Sequence, residues 1–335
     1  MSQIITRAKL NQMIDSFLAD HKVVAGPVAA SGQRFFFQTL LQPDQLVLNP
    51  NIMPTNSIKE FFFPQHETIC KYRYEGKELI VNDVEPFAVD QILFGARPCD
   101  AASLPILDKI FNWDYQDQFY RLRREQSIVV TLACRQADEN CFCTSVGLAP
   151  DTQSGADAML LPIDTDAEIF EVRTFTDKGK NLFNQQTTNS NQTGQTATPP
   201  EIRFDSKNVE KYLTEHFNDP IFDETSMRCV SCGACTYLCP TCHCFDIVDE
   251  GGAAKGNRVK NWDTCQVPLF TLHASGHNPR SNQSARQRNR IQHKFCIYPE
   301  KFGLILCTGC GNCTRDCSAS LGVRPLLELL DKKNR

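Results

Sequence analysis

Of the seventeen cysteines in this 335-residue chain, eight fall into two tight runs, and these are the residues with chemistry to offer. The first run is Cys229-x2-Cys232-x2-Cys235-x3-Cys239, closed by Pro240. The second is Cys307-x2-Cys310-x2-Cys313-x3-Cys317. Such spacing holds a pair of [4Fe–4S] clusters: three closely spaced thiolates turn around one corner of a cube, and the fourth usually reaches the other cube. On this rule Cys229, Cys232, Cys235 and Cys317 take one cluster, and Cys307, Cys310, Cys313 and Cys239 take the other. Gly233, Gly309 and Gly311 let the backbone pass close to the metal. A zinc ribbon separates its cysteine pairs along the chain, whereas each run here gathers all four. A disulfide framework needs a secreted context, and Met1–Leu10 is too polar and mixed for a secretory signal.

Composition narrows the class. A net charge of −4 with 41% hydrophobic residues gives material for real cores and no global pull toward nucleic acid. The length allows two domains. Apolar runs such as Phe61–Phe63 and Met159–Ile163 are far short of a membrane span. Free thiols and oxygen-sensitive clusters point to a soluble protein of the reducing cytoplasm.

Before the cysteine runs, the chain reads as an α/β domain. Residues 4–21 carry apolar residues at helical spacing, and Val23–Ala29 and Arg34–Leu41 read as short strands. Asn49–Asn56, with two prolines and three asparagines, is a loop, and the Phe61–Phe63 triplet is core. Gln91–Ala96 is an apolar strand ending in Arg97-Pro98-Cys99-Asp100. Ala101–Phe111 is then helical, with Asp100 suited to its N-cap. Ser127–Ala133 is the next strand and ends at Cys134. A strand–helix–strand unit makes these strands parallel neighbours, so Cys99 and Cys134 share the carboxyl edge of the sheet. The loop bearing Cys141 and Cys143 can close over them. Cys99, Cys134, Cys141 and Cys143 are therefore candidate ligands of a third cluster; the competing readings are buried free cysteines or a zinc site.

Two more strands are expected at Met159–Ile163 and Glu168–Phe175, and a helix at 207–218. Residues 177–206, rich in Gln, Asn and Thr, read as a solvated linker. The expected architecture is α+β with two domains: an α/β domain over 1–176, the linker, and an α-helical ferredoxin-like domain over 207–335 binding two clusters. The long spacer 240–306 reads as an insertion between the two binding halves. In it, Cys242 and Cys244 read as thiols packed beside a cluster, Trp262 as packing, and Cys265 and Cys296 carry no assigned role. Residues 264–299 contain no Asp or Glu but include Arg280, Arg286, Arg288, Arg290 and Lys294. This basic stretch reads as an ordinary solvated helix face, as an offset to the negative charge of thiolate-bound clusters, or as a dock for an acidic partner, the last two together being preferred. No dinucleotide fingerprint, P-loop or nucleophile elbow is present, so no catalytic residue is assigned.

Read in order, four segments carry a family resemblance. They are Phe94-Gly95-Ala96-Arg97-Pro98-Cys99-Asp100, then Cys134 with Cys141-Phe142-Cys143-Thr144-Ser145, then Cys229-Val230-Ser231-Cys232-Gly233-Ala234-Cys235 leading to Cys239-Pro240-Thr241-Cys242, and Cys307-Thr308-Gly309-Cys310-Gly311-Asn312-Cys313. The series resembles the β subunit of cytoplasmic sulfhydrogenases (group 3 NiFe hydrogenases) and is similar to the A subunit of anaerobic sulfite reductase. The resemblance implies an electron-transfer subunit of a soluble oxidoreductase. FAD and NAD(P)H would sit in one partner chain and the catalytic centre in another, with the hydrogenase type preferred on the Cys99 and Cys239–Cys242 segments. It also implies the third cluster. Ser318 stands where proline usually follows the last cysteine, and the 177–206 segment lies outside the shared pattern. A self-sufficient flavin reductase and a zinc-stabilised binding protein are the competing functions.

Overall fold

In a computed structural model, the described residues are 2–86 and 90–335. Their strands are β1 (Ser2–Thr6), β2 (Val23–Ala29), β3 (Phe35–Thr39), β4 (His66–Glu75), β5 (Glu78–Asp83), β6 (Gln91–Ala96), β7 (Ser127–Leu132), β8 (Ala158–Pro162), β9 (Ile169–Thr174), β10 (Thr188–Ser190), β11 (Phe245–Gly251) and β12 (Lys255–Trp262). The helices that matter below are α1 (Arg7–Ala19), α2 (Pro98–Ala101) and α3 (Ser103–Phe111).

An eight-stranded mixed sheet runs β10-β1-β9-β8-β7-β6-β2-β3. Its centre, β2-β6-β7-β8, is parallel, and the flanking pairs are antiparallel. Strands β6 and β7 are buried on both faces, which is why they read as near-continuous apolar runs. Ile92, Phe94, Val130 and Leu132 pack with Leu10, Met13 and Ile14 of α1 on one face. Leu93 and Val129 pack with Leu104, Leu107, Phe111 and the Phe62–Phe63 pair on the other. Pairing of Ala96 with Thr131 brings the carboxyl ends of β6 and β7 level, as the strand–helix–strand reading required.

Several expectations need correction. The first residues of the anticipated 4–21 helix form β1, because Ile4 and Ile5 pair with Glu171 and Phe170 of β9, and α1 starts at Arg7 with Thr6 as its N-cap. Asp100 caps no helix through its side chain; its Oδ2 accepts the Ile58 N–H at 3.0 Å. The 177–206 segment is no bare linker: Asp177–Phe183 is helical, β10 extends the sheet, and Ala197 N donates to Cys134 O at 2.6 Å.

The largest correction concerns the C-terminal part, which is not all-helical. The spacer between the cysteine runs contributes the hairpin β11–β12, and β12 pairs with β4 in a second sheet ordered β11-β12-β4-β5. The two expected domains thus share a sheet. A buried ion group fastens the join: Lys260 Nζ lies 2.9 Å from Glu67 and 2.8 Å from Asp117, and Arg123 also reaches Glu67. Trp262 Nε1 donates to Phe63 O at 3.0 Å. The remaining C-terminal residues form a helical core around Val209, Leu213, Phe222, Ile291, Phe295, Leu326, Leu327 and Leu330.

Candidate metal centre

The two cysteine runs adopt the same backbone. Ser231 (φ 57°) and Gly233 (φ 75°) in the first match Gly309 (φ 66°) and Gly311 (φ 80°) in the second, each pair flanking the middle cysteine. Left-handed residues alternating with right-handed ones curl successive N–H groups toward a concave side, an arrangement recurrent at phosphate and Fe–S sites. Each loop then enters a one-turn helix, Ala234–Tyr237 or Asn312–Arg315, and these two helices pack together.

Cys239 lies with Cys307, Cys310 and Cys313 of the second run. Cys310 is buried with Cys239, Cys313 and Cys307 around it, and burial and these neighbours push its thiol well up. Burial likewise pushes Cys307 up to about 12, with Cys239 and Cys313 contributing. Thiols so placed do not ionise unaided; a bound cation deprotonates them outright. The other set is less complete. Cys229 and Cys235 are neighbours, Cys232 is exposed, and Cys317 Sγ accepts the Leu321 N–H at 3.3 Å. Cys265, to which the sequence assigned no role, also lies beside Cys235.

The N-terminal cysteines converge at the carboxyl edge of β6 and β7. Cys99, in α2, faces Cys134, Cys141 and Cys310, and burial first, then these groups, push its thiol well up. Burial pushes Cys143 up to about 11, with Cys134 the next cause. This group abuts the second run directly: Phe142 N donates to Gly309 O at 3.0 Å, and the Phe142 ring enters the helical core beside Phe204. Arg315 clasps Asp138 at 2.5 and 2.9 Å and reaches Cys141 Sγ at 3.5 Å. Among the described residues no three His, Cys, Asp or Glu side chains converge tightly enough for one metal ion. A single zinc draws its sulfurs to about 2.3 Å from one point, whereas a four-iron cube spreads them over its corners.

Buried cations stand at each group. Lys294 Nζ reaches Leu306 O at 2.8 Å, Thr241 Oγ1 at 3.0 Å and Cys239 Sγ at 3.4 Å. Burial works against its charge, but Cys239, Cys242 and Cys307 outweigh that and raise its pKa. Arg290, also buried, donates to Cys235 O at 3.0 Å. Lys59 lies under the Cys239–Cys242 turn, 3.0 Å from Cys242 O and 4.0 Å from the Trp262 ring centre, and here burial wins and lowers its pKa. Arg97 binds the Asn49, Ile52 and Leu132 carbonyls beneath Cys99 and Cys134. Arg290 and Lys294 belong to the basic stretch that the sequence flagged. Nothing local marks Lys59.

Of the remaining thiols, Cys242 donates to Cys239, which lowers Cys239 well below the usual thiol range. Cys244 donates to Cys265, which draws Cys265 down to about 6. His243 and His293 sit ring to ring at 5.5 Å nearby, and burial lowers them to about 4 and about 3.

Residues 228–321 match the family described as 4Fe–4S dicluster domain. The chain carries a 4Fe–4S dicluster domain. Beyond that segment, the chain is similar to sulfhydrogenase 2 subunit beta of Pyrococcus furiosus, at 29% identity over 310 residues, covering 89% of each chain. The resemblance seen in the cysteine segments therefore extends over nearly the whole length. No solved structure matches. The dicluster domain includes the β11–β12 hairpin, so its own sequence range spans the strands that tie it to β4.

Proposed function

We propose that this chain is an iron–sulfur electron-transfer subunit of a soluble, cytoplasmic multi-subunit oxidoreductase. It would relay single electrons between a flavin/NAD(P)H-binding chain and a catalytic chain. The observation that carries the reading is the repeated left-handed pattern of the two cysteine loops, joined to a third cysteine group at the sheet edge. When bound, [4Fe–4S] clusters supply one-electron redox chemistry.

The ligand sets we assign are Cys229, Cys232, Cys235 and Cys317 for one cluster, and Cys239, Cys307, Cys310 and Cys313 for the second. Cys99, Cys134, Cys141 and Cys143 would hold a third. The donor chemistry fits: buried thiols with raised pKa need metal to ionise, and Arg97, Arg290, Arg315 and Lys294 offset the thiolate charge. The nearness of Cys99 to Cys310 would set the third cluster beside the second, so that the three form one relay. A hydrogenase-type catalytic partner is preferred because the relative is named a sulfhydrogenase subunit. An α/β domain over 1–176 and a dicluster domain over 207–335, docked through their shared sheet, remain the working division.

The test is iron, acid-labile sulfide and zinc on anaerobically purified protein, with low-temperature EPR after reduction. About twelve irons per chain support three clusters, and about eight return the N-terminal cysteines to the core. Zinc with little iron overturns the reading.

A further inference from the structure

Four cysteines of the spacer between the two runs, Cys242, Cys244, Cys265 and Cys296, are left over once twelve ligands are assigned, and Cys244 and Cys265 meet. Cys244 immediately precedes β11 and Cys265 follows β12 by a short turn. Phe245 pairs with Trp262, and Asp263 N donates to Cys244 O at 3.0 Å, so the ladder runs one step past both strands. Cys244 therefore stands opposite Asp263, and Cys265, two residues on, falls on the same side. The turn closed by Val267 N to Thr264 O at 3.2 Å curls Cys265 back, within hydrogen-bonding reach of the Cys244 thiol.

A bridge of amides links this pair to the first cysteine run. Gln266 Nε2 donates to Cys265 Sγ at 3.4 Å. Gln283 Nε2 donates to Gln266 Oε1 at 3.3 Å and to Cys229 Sγ at 3.0 Å. Arg286 and Ser231 hold Gln283 Oε1, which fixes the amide that points at Cys229. The two amides thus connect the Cys265 and Cys229 sulfurs through three hydrogen bonds. Cys239 and Cys242 also touch, but Cys239 is already an assigned ligand, so Cys244 and Cys265 are the pair free for thiol chemistry.

We propose that Cys244 and Cys265 form a dithiol–disulfide couple that exchanges electrons with the cluster at Cys229, Cys232 and Cys235. The proposal rests on the iron–sulfur reading above. In the reductive direction the Cys244–Cys265 S–S bond breaks, two electrons arrive one at a time from the reduced relay, and two protons from solvent complete the thiols. In reverse, the oxidised clusters take the two electrons singly, the two protons leave, and the S–S bond forms. The pair would give a one-electron chain a two-electron station inside this subunit.

The test poises the intact, anaerobically purified protein with dithionite or with ferricyanide, quenches in acid with a thiol alkylating agent, and maps peptides by mass spectrometry. The expected result is a Cys244–Cys265 cross-linked peptide after oxidation, absent after reduction. Cys244→Ser should abolish it while iron and sulfide per chain stay at the wild-type value. Full alkylation of both residues in oxidised protein that retains its iron overturns the couple and leaves the cluster reading intact. Loss of about four irons in Cys265→Ser also overturns it, by making Cys265 a cluster ligand. Protein that never contains iron defeats the underlying reading instead.

Discussion

Lys294 gives the sharpest quantitative test of how the protein treats its clusters. Its ammonium is buried, 3.4 Å from Cys239 Sγ, with Thr241 Oγ1 and Leu306 O completing its hydrogen bonds. On the ligand set proposed above, an added electron on the cluster at Cys239 spreads beyond the sulfur, so a separation of about 6 Å is a fair scale. With an effective dielectric of about 20, the Coulomb term is about 2.8 kcal/mol. For a one-electron couple that corresponds to about 120 mV. Replacing Lys294 by Met keeps volume and removes the charge, which disfavours the reduced cluster, so the midpoint potential should fall by about 100 mV. Because the group is buried, salt should barely change the shift. Lys294→Arg, which keeps the charge, should stay close to wild type if it folds with full iron. The assay is an anaerobic redox titration followed by EPR, with iron and sulfide measured on each variant. A Met variant that retains its iron and shifts by less than about 20 mV would refute the electrostatic role, since no plausible interior dielectric makes the term so small.

Other consequences follow from the same geometry. Cys134→Ser should remove about four of roughly twelve irons and one EPR component, leaving the dicluster signals in place. Gly309→Ala forces a side chain onto φ 66° and sets its Cβ 2.5 Å from Cys143 N, so denaturant unfolding should show a loss of at least about 2 kcal/mol. Lys260→Met leaves Glu67 with Arg123 alone and takes the cation from Asp117 at the shared sheet, and should cost about 3 kcal/mol, part of it recovered by adding Glu67→Gln. His293 is held neutral at about 3 when folded, chiefly by burial and then by His243, Lys294 and Arg280. An unfolded His protonates near 6.5, so stability from this group is present above that pH and is lost as pH falls, by about 1.4 kcal/mol per unit. His293→Gln should make unfolding between pH 6.5 and 5 less acid-sensitive by about 2 kcal/mol, while His243, lowered to about 4, keeps the remaining slope.

The repeated backbone of the two cysteine loops was legible in the sequence because it is set locally. Cysteine spacing and the glycines at 233, 309 and 311 constrain a few consecutive residues, and the backbone repeats accordingly. Strands β6 and β7 were legible for a related reason: burial on both faces leaves an apolar run, and two such runs joined by a helical crossover, Ser103–Phe111 and then Gln118–Gln126, pair in parallel with Cys99 and Cys134 at one edge. The hairpin β11–β12 was not legible. Both strands are charged and β11 is largely exposed, so their partner is chosen by pairing with β4, far away in sequence, rather than by any apolar pattern. The same holds for β1, whose isoleucines suit a helix until β9 offers a free edge. Lys59, Arg97 and Gln283 act on sulfurs or carbonyls supplied by distant segments, and an isolated polar residue carries no sign of the partner it will meet. The cysteine pattern is written in short-range spacing; the charge, the hydrogen bonds and the neighbouring thiols around each cysteine come from long-range packing, which only the folded chain specifies.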